Sequence, residues 1–174
     1  MKNFVLGILN IFAWIFEFIF GLGTILSIIM GIIFLIPNIQ ATFLKQVPNL
    51  KNVTGTIFLV VFALIVSAVM CAALCWGIRA IRLVIRNINQ DIYFDQSNLD
   101  LLHTTLISLS VFTVADFIEA CLIGAAKYNL KGKPNLNLDF SNIVYSLIVL
   151  GIIYVIYLVF KNGLKLQEES NKII

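Results

Sequence analysis

Charge is scarce in this chain. Of 174 residues, 12% are charged and 60% are hydrophobic, whereas a soluble domain carries roughly 25% charged residues. Histidine occurs once, at His103. That removes two-histidine metal motifs, and the chain has neither a serine–histidine pair with an orienting acid nor a glycine-rich phosphate loop. The expectation is a protein that is not an enzyme, with no metal and no cofactor. The net charge of +3 is spread over loops and termini without a clustered basic face, which excludes direct nucleic acid binding. Cys71, Cys75 and Cys121 all fall inside apolar runs. Cys71 and Cys75 are four apart, not a C-x-x-C pair, so they read as polarizable packing residues rather than redox thiols.

What the chain has in abundance is long apolar stretches. Phe4–Ile36, Thr56–Ile78 (running on to Ile88), Leu101–Ala126 and Phe140–Phe160 each reach the ~20 residues that a helix needs to cross a bilayer. The gaps between them are too short for a folded domain. The expected fold is therefore all-α: a multi-pass protein of the cell membrane with four transmembrane helices in one bundle. The expected spans are about 8–36, 56–80, 103–126 and 140–161. The opening MKNFVLGILN resembles a signal peptide in charge, but its apolar run is too long and lacks a small-x-small cleavage site, so it is expected to be a retained first span.

Three acids interrupt these runs. Asp116 and Glu119 lie well inside TTLISLSVFTVADFIEACLIGAA, residues 104–126, and share a helix face with Thr105 and Ser108. Glu17 sits in a first-span stripe of Asn10, Thr24 and Gly31, with Ala13, Gly21 and Ser27 between. Small residues at that spacing make a seam for a neighbouring helix. A mid-bilayer carboxylate costs at least about 2.5 kcal/mol, so these faces should meet protein or water. Two roles stay open for the acids. They form part of a pathway, or they are protonated and hydrogen-bonded to Thr24, Ser27, Ser67 or Thr105 as glue between helices; Lys127 is a further candidate partner for Glu119.

Pro37 should end the first helix, and Pro48 should keep residues 38–55 from forming one long helix. The second helix should run from about Thr56 to Ile88 and change character near its end. There Arg79, Arg82 and Arg86 share one face and Ile78, Ile81, Ile85, Ile88 and Ile92 another, an amphipathic extension that meets anionic headgroups. The arginines also mark a cytoplasmic side. With loop 81–102 inside, the termini are inside too (N-in/C-in). Lys2, the three arginines, Lys161, Lys165 and Lys172 then lie inside, against five lysines outside. Ser97 and Asp100 should form a capping box opening the third helix. His103 near two aspartates is expected to be an interfacial imidazole rather than a metal ligand. Gly132 and Pro134 mark a turn, Asp139 or Ser141 caps the fourth helix, and Asn162–Gly163 should end it, leaving a cytoplasmic tail, 162–174.

In that tail, Gly163, Leu164, Leu166, Gln167, Glu168, Glu169 and Ile174 follow an aromatic residue, and Phe94, Asn98 and Leu102 stand in the central loop. Both stretches resemble a family of small bacterial four-span membrane proteins, domain of unknown function 2975. The chain departs from the family's pattern at Leu101, His103 and Thr104, where arginines are usual, and at Asn171 and Ile173. The resemblance implies a bacterial membrane protein, often encoded beside a small helix-turn-helix regulator. The function expected is accordingly a non-enzymatic regulatory or interaction protein. Its cytoplasmic surface (Arg79, Arg82, Arg86, Phe94, Asn98, Gly163, Gln167, Glu168 and Glu169) would hold such a regulator. The alternative is a small transporter or ion pathway built on Glu17, Asp116 and Glu119. Four helices enclose little volume, so that reading needs a homo-oligomer in the lipid bilayer.

Overall fold

The computed structural model describes residues 2–46, 53–131 and 141–171. Five helices make up this part, with no strands among the described residues: α1 (Lys2–Phe34), α2 (Pro37–Gln46), α3 (Val53–Asn89), α4 (Gln96–Lys131) and α5 (Ser141–Asn171). All but α2 are long and apolar enough to cross a membrane, as the four apolar blocks predict. Pro48, Lys51, the Gly132–Pro134 turn, Asp139 and the isoleucines at 173 and 174 lie outside the described residues.

The break at Pro37 is where the sequence puts it, but the segment after it is helical rather than a loop. Proline fits the first position of a helix, where its missing N–H is not needed. The α1 end tightens through Leu35 N–H to Ile32 O (3.1 Å) and Ile36 N–H to Ile33 O (3.1 Å). Gln40 reaches back to donate to Phe34 O at 3.1 Å, and Phe43 stands edge-on against Phe34 at 5.3 Å. These contacts fold α2 onto the end of α1.

The helices pack in chain order: α1 on α3, α3 on α4, α4 on α5. Close contacts fix each pair as antiparallel. A Cβ on Gly31 would meet Leu64, one on Gly23 Cys71 and one on Gly21 Cys75, so numbers fall on α1 as they rise on α3. Gly77 faces Ser108, and Asn87 faces Asn98, across α3 and α4. His103 faces Tyr157 across α4 and α5. The start of α1, the α3–α4 turn and the end of α5 therefore share one end of the molecule.

Burial is inverted relative to a soluble protein. Ala13, Ala73, Ala80, Ala115, Thr105 and Ser108 are buried, while Trp14, Phe18, Phe58, Trp76 and Val155 are exposed. Where lipid replaces water, apolar bulk gains nothing by turning inward, and small residues let backbones approach. At Gly77 an added Cβ would stand 3.1 Å from the Ser108 Cβ. The polar residues inside this contact satisfy themselves: Thr105 donates to Leu101 O at 3.0 Å and Ser108 to Thr104 O at 2.9 Å. The first-span stripe does form the α1–α3 seam, with Ala13 buried and Glu17, Gly21, Thr24, Ser27 and Gly31 half-buried; Asn10 alone stands outside it.

Two ends differ from expectation. Helix α4 starts one position before Ser97, and its cap is Asp95, whose carboxylate accepts from the Ser97 N–H at 2.8 Å. Asp100 instead accepts from the Gln96 side chain at 2.9 Å. Ser97–Asp100 is therefore not the capping box; the cap lies two residues upstream. Helix α5 does not stop at Asn162–Gly163 but continues to Asn171. Gly163 has a different purpose, given below.

Candidate functional site

The mid-span acids do not gather at one place. Glu17, on the α1–α3 seam, is claimed by Arg82 of α3, with Nε 2.8 Å from Oε2. Both atoms are buried, and at this separation neither forms a directed hydrogen bond. The contact is a charge pair whose N–H points off the oxygen. The two side chains are 28% and 19% exposed for Arg82 and Glu17, dry enough for the attraction to exceed that of a surface pair. Cys75 packs beside them and donates weakly to the Glu17 carbonyl at 3.5 Å. A cleft of ≈ 340 Å³ opens next to the pair, lined by Trp14, Glu17, Phe18, Gly21, Leu22, Ile25 and Cys75. Arg82 thus faces inward. The sequence grouped it with Arg79 and Arg86, which are both exposed.

Asp116 and Glu119 stand half-buried on α4. Among the described residues neither makes an ion pair or a hydrogen bond; the side chain of Lys127 lies outside those residues. Two of the four hydroxyls expected as glue are engaged within their own helices: Thr24 donates to Phe20 O at 2.9 Å and Thr105 to Leu101 O at 3.0 Å. Glu119 has Cys71 as its α3 neighbour, whereas Glu17 has Cys75. No group of three potential metal ligands occurs among the described residues. His103 packs on Tyr157 at 6.2 Å, an aromatic contact.

The residues that do converge are those of the α3–α4 turn and α5. Helix α3 closes with Ile92 N–H to Asn87 O (3.0 Å) and Asp91 N–H to Ile88 O (3.1 Å). This is the Schellman pattern, with Asp91 at φ 62° where glycine is usual. Asp95 then caps α4. Exposed Asp95 has its carboxyl held below the ordinary aspartate value by the Ser97 hydroxyl and then by the Ser97 N–H. Between these caps Asn98 is wholly buried, at 0% exposure. Its amide donates to Ile92 O (3.0 Å) and Tyr93 O (2.8 Å) and accepts from Asn87 Nδ2 at 2.7 Å. A buried amide with all these partners is a structural tie, so Asn98 belongs inside the turn and not on a docking face. Asn87 carries no motif in the sequence beyond its place at a helix end.

Phe94 leans out of the turn onto Phe160, 5.7 Å between ring centres. A Cβ on Gly163 would collide with the Phe94 ring. Glycine at 163 is thus the seat of an aromatic ring and not a helix stop. Beyond it Gln167, Glu168 and Glu169 are exposed on the final turns of α5, where Lys165 pairs with Glu169 at 3.8 Å. Phe94, Asn98, Phe160 and Gly163, far apart in sequence, are thereby joined in one clasp at the end of the molecule shared with the start of α1. No family model, characterised protein or solved structure matches the chain.

Proposed function

We propose that this is a bacterial multi-pass protein of the cell membrane that acts without catalysis, as a regulatory or interaction protein. Its partner binds at the cytoplasmic end formed by the α3–α4 turn and the end of α5. The observation that carries the reading is the continuation of α5 past its apolar segment as a helix to Asn171, exposed from Lys165 to Ser170 and rooted by the Phe94–Phe160–Gly163 clasp. A fixed helix presents Gln167, Glu168 and Glu169 in one geometry, which reduces the ordering cost of binding. The arginines near the end of α3 support an inward-facing orientation for this end. The resemblance to domain of unknown function 2975 supports a small helix-turn-helix regulator as the partner.

A photocrosslinking residue placed at Leu166, 67% exposed, tests the proposal in intact cells. One discrete soluble protein should be captured, and Glu168→Lys with Glu169→Lys should abolish the adduct while the protein stays in the membrane. Capture of lipid alone would defeat this reading.

A second reading is a small oligomeric transporter or ion pathway. It is favoured by one observation: Asp116 and Glu119 are held in an apolar helix without a partner among the described residues. Intramembrane acids of this kind are functional candidates. Proteoliposome flux that survives both Asp116→Asn and Glu119→Gln would eliminate it.

A further inference from the structure

Between α1 and the first half of α3 runs an open groove of ≈ 430 Å³, with Thr24, Gly31, Leu64, Ala68 and Ala72 in its almost wholly apolar wall. The Thr24 hydroxyl is turned back to its own helix, donating to Phe20 O. Only hydrocarbon suits such a wall. On α3 the residues that follow, Trp76, Arg79 and Arg86, continue the same face as Ala68 and Ala72, because their spacings of three, four and seven all return to one side of a helix. Trp76 is 62% exposed. Arg79 and Arg86 are exposed and, among the described residues, pair with no acid, while Arg82 is occupied by Glu17. Two uncompensated cations, an exposed indole and an apolar groove therefore follow one another along a single track.

That order matches the phosphate, ester region and acyl chain of a membrane lipid. At 1.5 Å per residue the groove begins about 10 Å from Arg79, at Ala72, within reach of a chain that spans half of a ~30 Å hydrocarbon core. A zwitterionic headgroup brings its own ammonium to the arginines; an anionic one does not, so charge complementarity selects the anionic class. We propose that this track binds one anionic glycerophospholipid from the leaflet on the α3–α4 turn side, its phosphate at Arg79 and Arg86 and one acyl chain past Trp76 into the α1–α3 groove.

The chain contains two tryptophans, so Trp14→Phe leaves Trp76 as the sole reporter beside the track. The full-length variant is reconstituted in phosphatidylcholine vesicles holding equal fractions of either acyl-brominated phosphatidylglycerol or acyl-brominated phosphatidylcholine. The anionic lipid should quench Trp76 more strongly, with a relative binding constant up to about fivefold higher per arginine engaged. Arg79→Gln with Arg86→Gln should bring the two lipids to equality. Ala68→Leu with Ala72→Leu, both arginines intact, should reduce quenching by chain-end bromines by filling the groove. Equal quenching by both lipids in the parent overturns the proposal, and that comparison stands even if a variant fails to fold. Displacement of the anionic lipid by soluble glycerophosphate overturns it in favour of a plain anion site. Full chain-end quenching in the alanine-to-leucine variant overturns the groove assignment.

Discussion

At the scale of single residues, the pair of Glu17 and Arg82 is the most consequential contact. Removing one member leaves the other charged in a dry seam, which costs about 3–5 kcal/mol when a buried ion pair is broken from one side; the partial exposure of both side chains sets the expectation at the lower end. Thermal unfolding in detergent should therefore show Glu17→Gln and Arg82→Gln each strongly destabilising. The double variant should lose clearly less than the two losses added, since it leaves no orphaned charge. Asp91 offers the opposite sign. A non-glycine residue at φ 62° carries a left-handed cost of about 1–2 kcal/mol. Asp91→Gly should relieve up to about 1 kcal/mol of this cost, less whatever the contacts of the Asp91 side chain contribute, among them its 2.9 Å bond from the exposed Tyr93 hydroxyl.

Asp95 gives the pH dependence. Its carboxyl is depressed in the folded state by Ser97, so its contribution to the α4 cap is present above the ordinary aspartate value, ~3.9. That contribution is lost as pH falls through the folded value below it. The protection of the Ser97 amide, its exchange rate relative to that of an unstructured peptide at the same pH, should fall on acidification through this window, and Asp95→Ala should show the lowered protection already at neutral pH. An exchange rate set by hydroxide catalysis alone, with no step attributable to Asp95, would remove the cap from the account.

At the scale of elements, Gly163 decides how α5 ends. Glycine inside a helix is worth about 1 kcal/mol less than alanine, yet an added Cβ here strikes Phe94. Gly163→Ala should thus be destabilising in the parent and stabilising in a Phe94→Ala background. Equal effects in both backgrounds would dissolve the clasp. This position also shows why the end of α5 is not legible in the sequence. Asn–Gly is a good stop signal, and nothing local to residue 163 announces a ring arriving from residue 94. Helix α2 is hidden for a similar cause: the prolines at 37 and 48 bracket it, a spacing that suits a loop as well as a short helix begun by Pro37. The α4 cap was off by two residues because Ser-x-x-Asp and Asp-x-x-Asn overlap there, and only the backbone geometry of Asp95 separates them. By contrast, the four spanning lengths and the α1 seam were legible, because bilayer thickness and helical repeat act on every residue of a span. The pairing of Arg82 with Glu17 was not, since three arginines on one helical face give no sign of which turns inward.

At the scale of the whole molecule, the antiparallel row puts both ends of the described chain at one end of the molecule. Reporter fusions to the N-terminus and to a C-terminus shortened at Ser170 should register the same compartment, and by the arginine bias the cytoplasmic one. Opposite readings from the two fusions would rule out the helix order.

The Asn87–Asn98 bond, the Gly77–Ser108 contact and the two caps make α3 and α4 a hairpin whose turn is closed by its own residues. Helices α1 and α5 lean on different members of that hairpin, with no extensive contact between them among the described residues. A displacement of the last helix by whatever grips its exposed end would leave the first helix and its arginine partner where they are. The described helices thus form a hairpin spine with one helix on each flank, the first fastened by a charge pair and the last by a tilted pair of aromatic rings.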